Sequence, residues 1–232
     1  RDLNNGPWFG INEKELFSPA SLVKVPVMIA YLKESETNPT LLNKRITYTT
    51  EYENYEKQNI TPSQTMEIGK SYTVDELIER MIVYSDNSAL RILLKEGEGF
   101  SHRIFNDLSP DGSTGEKALE NFMSVYEYSR FFRILYNSSY LNNENSNKAL
   151  EILSRVDFKS GLVAGTPANI TVAHKFGERE NGDEKQLHDC GIVYHPENPY
   201  LICIMTRGKD FDKLSEVIAE LSKITYEEVS KN

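Results

Sequence analysis

Two-residue periodicity occurs only toward the two ends of this chain, and the long stretch between them repeats with helical spacing. Trp8 to Asn12 and Glu15 to Phe17 read as a short opening hairpin, and Ser18-Pro19-Ala20-Ser21 then starts an apolar helix running to about Lys33. From Glu34 to about Phe158 the pattern is mostly helical. Thr73-Val74-Asp75-Glu76 and Ser124-Val125-Tyr126-Glu127 are capping boxes, each placed before an apolar periodic run. Strand-like segments return after Thr166-Pro167, at about Thr171 to Gly177, Cys190 to Tyr194 and Tyr200 to Thr206. A final helix carries Leu214, Val217, Ile218 and Leu221 on its expected apolar face. Strands, helical insertion, strands and helix, in that order, predict an α/β chain of the α+β kind with a discontinuous organisation. Residues 1–35 and 160–232 are expected to share one antiparallel sheet lobe, residues 36–159 to form a helical lobe, and a cleft to lie between them.

With 232 residues, 39% of them apolar and 26% charged, the chain has the composition of a folded globular protein. The net charge of -9 and the lack of Lys/Arg runs argue against nucleic acid as a partner. The longest apolar stretch, Val23 to Leu32, is interrupted by Lys24 and Pro26 and is shorter than the roughly 20 residues that span a bilayer. The chain begins at Arg1 without a signal-peptide pattern, so an upstream targeting or anchoring segment is compatible with it. Asn137 to Lys148 is polar and reads as an exposed loop. The two cysteines, Cys190 and Cys203, fall in one predicted hairpin. A turn centred near Glu197 would set them diagonally, which favours two buried free thiols over a bridge.

Three short motifs carry candidate chemistry. Ser21-Leu22-Val23-Lys24 puts a hydroxyl and an amine on one face at the start of a helix. A serine hydroxyl needs a base to become a nucleophile, and a desolvated lysine beside other cations is neutral enough to act as one. Unpaired N–H groups at the start of that helix can also stabilise an oxyanion. The ordinary meaning of Ser-x-x-Lys is a capping serine and a solvated lysine, and it arises roughly once by chance in such a chain. Here Lys24 instead sits inside an apolar run. Ser85-Asp86-Asn87 lies at a corner between two predicted helices, where Ser85 can pass a proton to a leaving nitrogen and Asn87 can hold a substrate carbonyl. Lys175-Phe176-Gly177 lies on a predicted strand, with Lys175 and Gly177 on the same side. Lys175 can bind a substrate carboxylate or keep Lys24 neutral. The backbone N–H beyond Gly177, that of Glu178, can donate to the oxyanion. His102, His174, His188 and His195 are scattered without metal-ligand spacing, so no metal and no cofactor are expected, and His174 should face away from Lys175.

Ser-x-x-Lys, Ser-Asp-Asn and Lys-x-Gly in this order resemble the signature set of class A β-lactamases and penicillin-binding proteins. The resemblance extends to Phe17 to Ser21, Glu79 to Leu90, Leu162 to Pro167 and His188 to Val193. It implies a β-lactamase/transpeptidase-like fold with an antiparallel sheet of about five strands flanked by terminal helices, plus an inserted all-helical lobe. It further implies an acyl-enzyme on Ser21, with Lys24 and Ser85 catalytic and Asn87, Lys175, Gly177 and Glu178 contacting substrate. The implied substrates are β-lactams or peptidoglycan stem peptides, in a monomer outside the cytoplasm. Two departures matter. The family's usual Glu-x-x-Leu-Asn, whose Glu activates the deacylating water, is missing; the corresponding region is Leu108 to Asn121, and Glu116 and Glu120 there read as solvated charges. Phe176 also stands where the family has a hydroxyl for the substrate carboxylate, with Arg179 or Arg207 as substitute cations. The resemblance implies a class A β-lactamase-like hydrolase. The alternatives are a D-Ala-D-Ala carboxypeptidase or penicillin-binding protein, and a module that binds β-lactam or muropeptide without turnover.

Overall fold

A computed structural model describes residues 1–4, 6–53, 58–101, 104, 107 and 122–231. Its main sheet has three antiparallel strands, β5 (Val172–Asn181), β6 (Glu184–Val193) and β7 (Tyr200–Gly208), in the order β5-β6-β7. About five strands were expected from the resemblance. The opening segment accounts for the difference: β1 (Leu16–Phe17) pairs with β4 (Met123–Ser124) instead of joining the sheet, and Trp8 to Asn12 form no strand. An isolated bridge from Asp2 to Tyr200, with backbone hydrogen bonds between Arg1 and Leu201, ties the N-terminal residues to β7. A further small ladder joins β2 (Arg45–Thr47) and β3 (Ser71–Thr73).

Six α-helices are described: α1 (Lys24–Ser35), α2 (Val74–Val83), α3 (Asn87–Glu96), α4 (Val125–Tyr136), α5 (Asn143–Ser154) and α6 (Phe211–Val229). Both predicted capping boxes form. Thr73 and Ser124 accept from the backbone N–H of Glu76 and Glu127, whose carboxylates reach back to the capping residues' own N–H groups. Asn142 caps α5, so the polar run read as a loop ends inside a helix. Its polarity misled because Asn145 and Ser146 are buried, with the Asn145 amide donating to Leu32 O at 2.8 Å.

Helix α1 is the axis of the core: its residues from Lys24 to Leu32 are all buried, and it packs against α2, α3 and α5. Helix α4 lies against β7 and β6, while α6 lies against β6 and β7 and the 3₁₀ turn Leu162–Gly165. Gly165 permits that last contact, since a Cβ there would sit 2.3 Å from Ala219 O. The apolar face expected of α6 is split. Leu214 and Ile218 are buried, whereas Val217 and Leu221 are 47% and 44% exposed, because the helix turns its flank to the sheet. No described helix is long and apolar enough to cross a membrane.

The hairpin register corrects the cysteine expectation. Val193 pairs with Tyr200, which centres the loop between Pro196 and Glu197 and sets Cys190 directly opposite Cys203, with their Cα atoms 3.9 Å apart. The two form a disulfide. Half a residue in the turn centre converts a diagonal pair into a facing one.

Candidate active site

Ser21 lies inside a 3₁₀ turn, Ala20–Val23, that leads directly into α1, and the cap positions of turn and helix are Pro19 and Val23, not Ser21. Capping, its ordinary role in this position, is therefore absent. Ala20, just before it, has φ +46°, a left-handed conformation that turns the chain sharply into the helix. Two buried side chains hold Ser18, three residues before Ser21. Gln186 Oε1 accepts from Ser18 N at 3.1 Å, and His188 Nε2 lies 3.0 Å from Ser18 O. Burial lowers the pKa of His188 to about 4, so the ring is neutral; it donates from Nε2 and accepts from Thr206 N at Nδ1. Tyr128 Oη donates to Leu22 O at 3.0 Å on the other side of Ser21. None of these three supports has a sequence motif of its own.

One helical turn on, Lys24 Nζ is fully buried and lies 2.9 Å from Ser21 Oγ, 3.0 Å from Ser85 Oγ, 2.7 Å from Ser85 O and 2.6 Å from Asn87 Oδ1. Burial lowers its pKa from 10.5 to about 7, against the opposing pull of Asp86 and Glu178. A neutral amine has two N–H groups and one lone pair. With the carbonyl of Ser85 and the amide oxygen of Asn87 taking the two protons, the lone pair is left for a serine hydroxyl.

Ser85 occupies the corner between α2 and α3 with φ +56°. Asp86 holds that corner by capping α3 through the N–H groups of Ser88 and Ala89. The corner faces β5, where Lys175 Nζ lies 3.0 Å from Ser85 Oγ and donates to Phe176 O at 3.0 Å. One hydroxyl is thus bracketed by two buried amines. The Lys175 pKa is held well below the usual lysine value, by burial first and by the neighbouring Lys24 charge second. Gly177 brings β5 against the turn that carries Ser21: a Cβ there would lie 2.9 Å from Pro19 O and 3.2 Å from Leu22 N. Only glycine allows this approach. His174 points the other way, as expected, pairing with the buried Asp189 at 2.8 Å.

Ser21, Lys24, Ser85, Asn87 and Lys175 are therefore brought into one hydrogen-bonded cluster, with Gly177 and Glu178 on its β5 wall. Glu116, Glu120 and His102 lie outside the described residues. Arg207 is committed elsewhere, donating to Leu16 O, pairing with Glu15 at 3.4 Å and stacking over Phe17. Phe176 stacks on Phe158 with ring centroids 4.5 Å apart.

Sequence reasoning missed the segment 58–63, which crosses this cluster. Gln58 Nε2 donates to Ser85 O at 3.3 Å, Ile60 N donates to Glu178 Oε1 at 2.7 Å, and Ser63 Oγ hydrogen-bonds Asp157. A cavity of about 300 Å³ lies beside it, lined in part by Tyr48, Gln58, Met66, Asp86 and Asn87.

The sequence profile of the Beta-lactamase enzyme family matches residues 1–229. The chain belongs to the beta-lactamase enzyme family. Solved structures share its fold at low identity. TLA-3 extended-spectrum beta-lactamase superposes with a TM-score of 0.85 at 18% identity, over 98% of this chain and 90% of that one. A beta-lactamase from Chitinophaga pinensis gives 0.83 at 19%, over 98% and 91%. A mutant of PBP-A, solved as an acyl-enzyme complex with penicillin G, gives 0.80 at 21%, over 100% and 88%. This member of the family thus places the three motifs of its sequence around a single hydroxyl, Ser85 Oγ, that two lysines share.

Proposed function

We propose that this protein is a serine hydrolase that opens β-lactams through an acyl-enzyme on Ser21. The carrying observation is the 2.9 Å contact between Ser21 Oγ and a fully buried Lys24 amine that titrates near 7. Neutral Lys24 takes the Ser21 proton as Oγ bonds to the lactam carbonyl carbon. The N–H groups of Ser21 and Glu178 receive the oxyanion. Collapse of the tetrahedral intermediate breaks the C–N bond, and Ser85 Oγ gives its proton to the leaving nitrogen. That proton is replaced from Lys24 or Lys175, each 3.0 Å away. Water then hydrolyses the ester and restores Ser21. The disulfide supports a location outside the cytoplasm, where such bonds persist.

The lack of Glu-x-x-Leu-Asn favours a second reading, a D-Ala-D-Ala carboxypeptidase that acylates by the same route and releases β-lactams slowly. Incubation with a chromogenic cephalosporin, following turnover and intact mass together, separates the two. Sustained turnover supports the hydrolase. A persistent adduct, with D-Ala release from a stem peptide, supports the peptidase. Ser21→Ala should abolish any adduct, and an adduct that survives it removes Ser21 from the mechanism.

A further inference from the structure

Phe176 puts an aromatic ring into a cluster otherwise built from polar groups. Lys175 folds back along its own strand: its Nζ donates to Phe176 O at 3.0 Å and lies 4.0 Å from the centroid of the Phe176 ring, while reaching Ser85 Oγ at 3.0 Å. The ring is buried, and Phe158 stacks on it at 4.5 Å and 29°, which fixes its orientation. Two oxygens and a ring face give Lys175 three partners, the number a protonated amine can use. Lys24 is set differently. Its N–H groups have the Ser85 carbonyl and Asn87 Oδ1, which suffice for a neutral amine.

Both amines are fully buried and share Ser85 Oγ, so one proton on the pair is favoured over two. The carboxylates that face the pair do not decide which amine carries it. Glu178 acts on both, Asp86 on Lys24 and Asp189 on Lys175, so each amine has one private carboxylate and one shared. Among the described residues of the cluster, the ring contact belongs to Lys175. A ring face attracts an ammonium through its quadrupole and offers a neutral amine far less.

We propose that Phe176 is a positioning residue for acylation: its ring keeps the proton of the pair on Lys175 and thereby leaves Lys24 neutral beside Ser21. Lys175 then also holds the proton that Ser85 needs once it has protonated the leaving nitrogen. This role rests on the acylation reading and deepens it, since it assigns the charge state in which the site is ready to react. A desolvated contact at 4.0 Å favours the ammonium by about 30-fold.

Replacing Phe176 by pentafluorophenylalanine keeps the shape of the ring and reverses the polarity of its face, while Phe176→Leu removes the ring. Acylation by benzylpenicillin is followed across pH by intact mass in the parent and both variants. Without the ring's attraction the pair loses its last proton at lower pH, so the basic limb of the profile should move toward acid by about one pH unit or more. The maximal rate should fall by up to about 30-fold as the proton spends time on Lys24, while the acid limb stays close to its place. A rate loss with the basic limb unmoved is what packing alone would give, and it overturns the proposal. Lys175 is also followed directly, by the NMR shift of its labelled Cε in Ser21→Ala, with and without the fluorinated ring. The fluorinated protein should deprotonate Lys175 about one pH unit or more earlier. An equal midpoint refutes the role of the ring whether or not an adduct forms. A lowered midpoint in a protein whose parent forms no adduct leaves the ring's hold on the proton standing and removes the acylation reading.

Discussion

Replacing Lys24 by Met tests the central physical claim, that a buried amine is kept neutral beside a nucleophile. Lys24 titrates near 7 in the folded protein and near its ordinary 10.5 when unfolded. Between those values the unfolded chain holds one more proton than the folded one, so stability rises with pH, by about 1.4 kcal/mol per unit. Integrated with those two values from about pH 7.5 to about pH 9.5, the gain is about 2–3 kcal/mol. Met removes it. The substitution also leaves Ser85 O and Asn87 Oδ1 without their lysine donor, but that loss does not depend on pH and cancels between the two conditions. Urea unfolding of parent and Lys24→Met at both pH values should therefore show the difference moving in the parent's favour by about 2–3 kcal/mol. Acylation by benzylpenicillin should rise in the parent through neutrality, as the Lys24–Lys175 pair gives up a proton, and fall about 10²- to 10⁴-fold in the variant. A stability difference that is flat with pH, or an acylation rate with no rise through neutrality, refutes the neutral-lysine argument.

Two further outcomes test the supports of the site. Gly177→Val pushes a side chain into Pro19 O and Leu22, costing about 1–3 kcal/mol by denaturation and lowering acylation by more than tenfold, because β5 can no longer approach Ser21; unchanged acylation would show that this close approach is dispensable. Replacing Cys190 and Cys203 together by Ala opens a loop with a separation of 13 residues, and loop-closure entropy sets the loss at about 3 kcal/mol in non-reducing urea titrations. A loss near zero would mean that the register of β6 and β7 is held without the bond.

What the sequence made legible was local. The two capping boxes are each four residues long and close on themselves, so Thr73 and Ser124 announced α2 and α4 whatever the rest of the chain did. Ser21 and Lys24 met because one helical turn separates them. The segment from Gln58 to Ser63 was illegible for the opposite reason. Gln58 reaches Ser85 across 27 positions and Ile60 reaches Glu178 across 118, and no periodicity encodes such a pairing. The disulfide was missed through geometry at its most sensitive, since half a residue in a turn centre decides whether two cysteines face each other. For α6, spacing alone could not say on which flank a four-residue apolar stripe meets the sheet.

The assignment of the base comes from contact geometry. Lys24 and Lys175 both lie 3.0 Å from Ser85 Oγ, and two ammonium groups on one hydroxyl repel each other, so protonating either makes the other easier to deprotonate. The pair therefore titrates together, and the acid limb of a pH profile belongs to both. Contact with the nucleophile separates them: Lys24 lies 2.9 Å from Ser21 Oγ, while the described contacts of Lys175 are Ser85 Oγ and Phe176 O. In the proposed reaction, proton removal from Ser21 then falls to Lys24, and Lys175 serves the leaving-group side through Ser85. Lys175→Met should then slow acylation by reagents with a poor, basic leaving nitrogen far more than by an activated ester whose leaving group departs unprotonated. Equal losses on both reagents would place Lys175 on the nucleophile's side and undo the division of labour between the two amines.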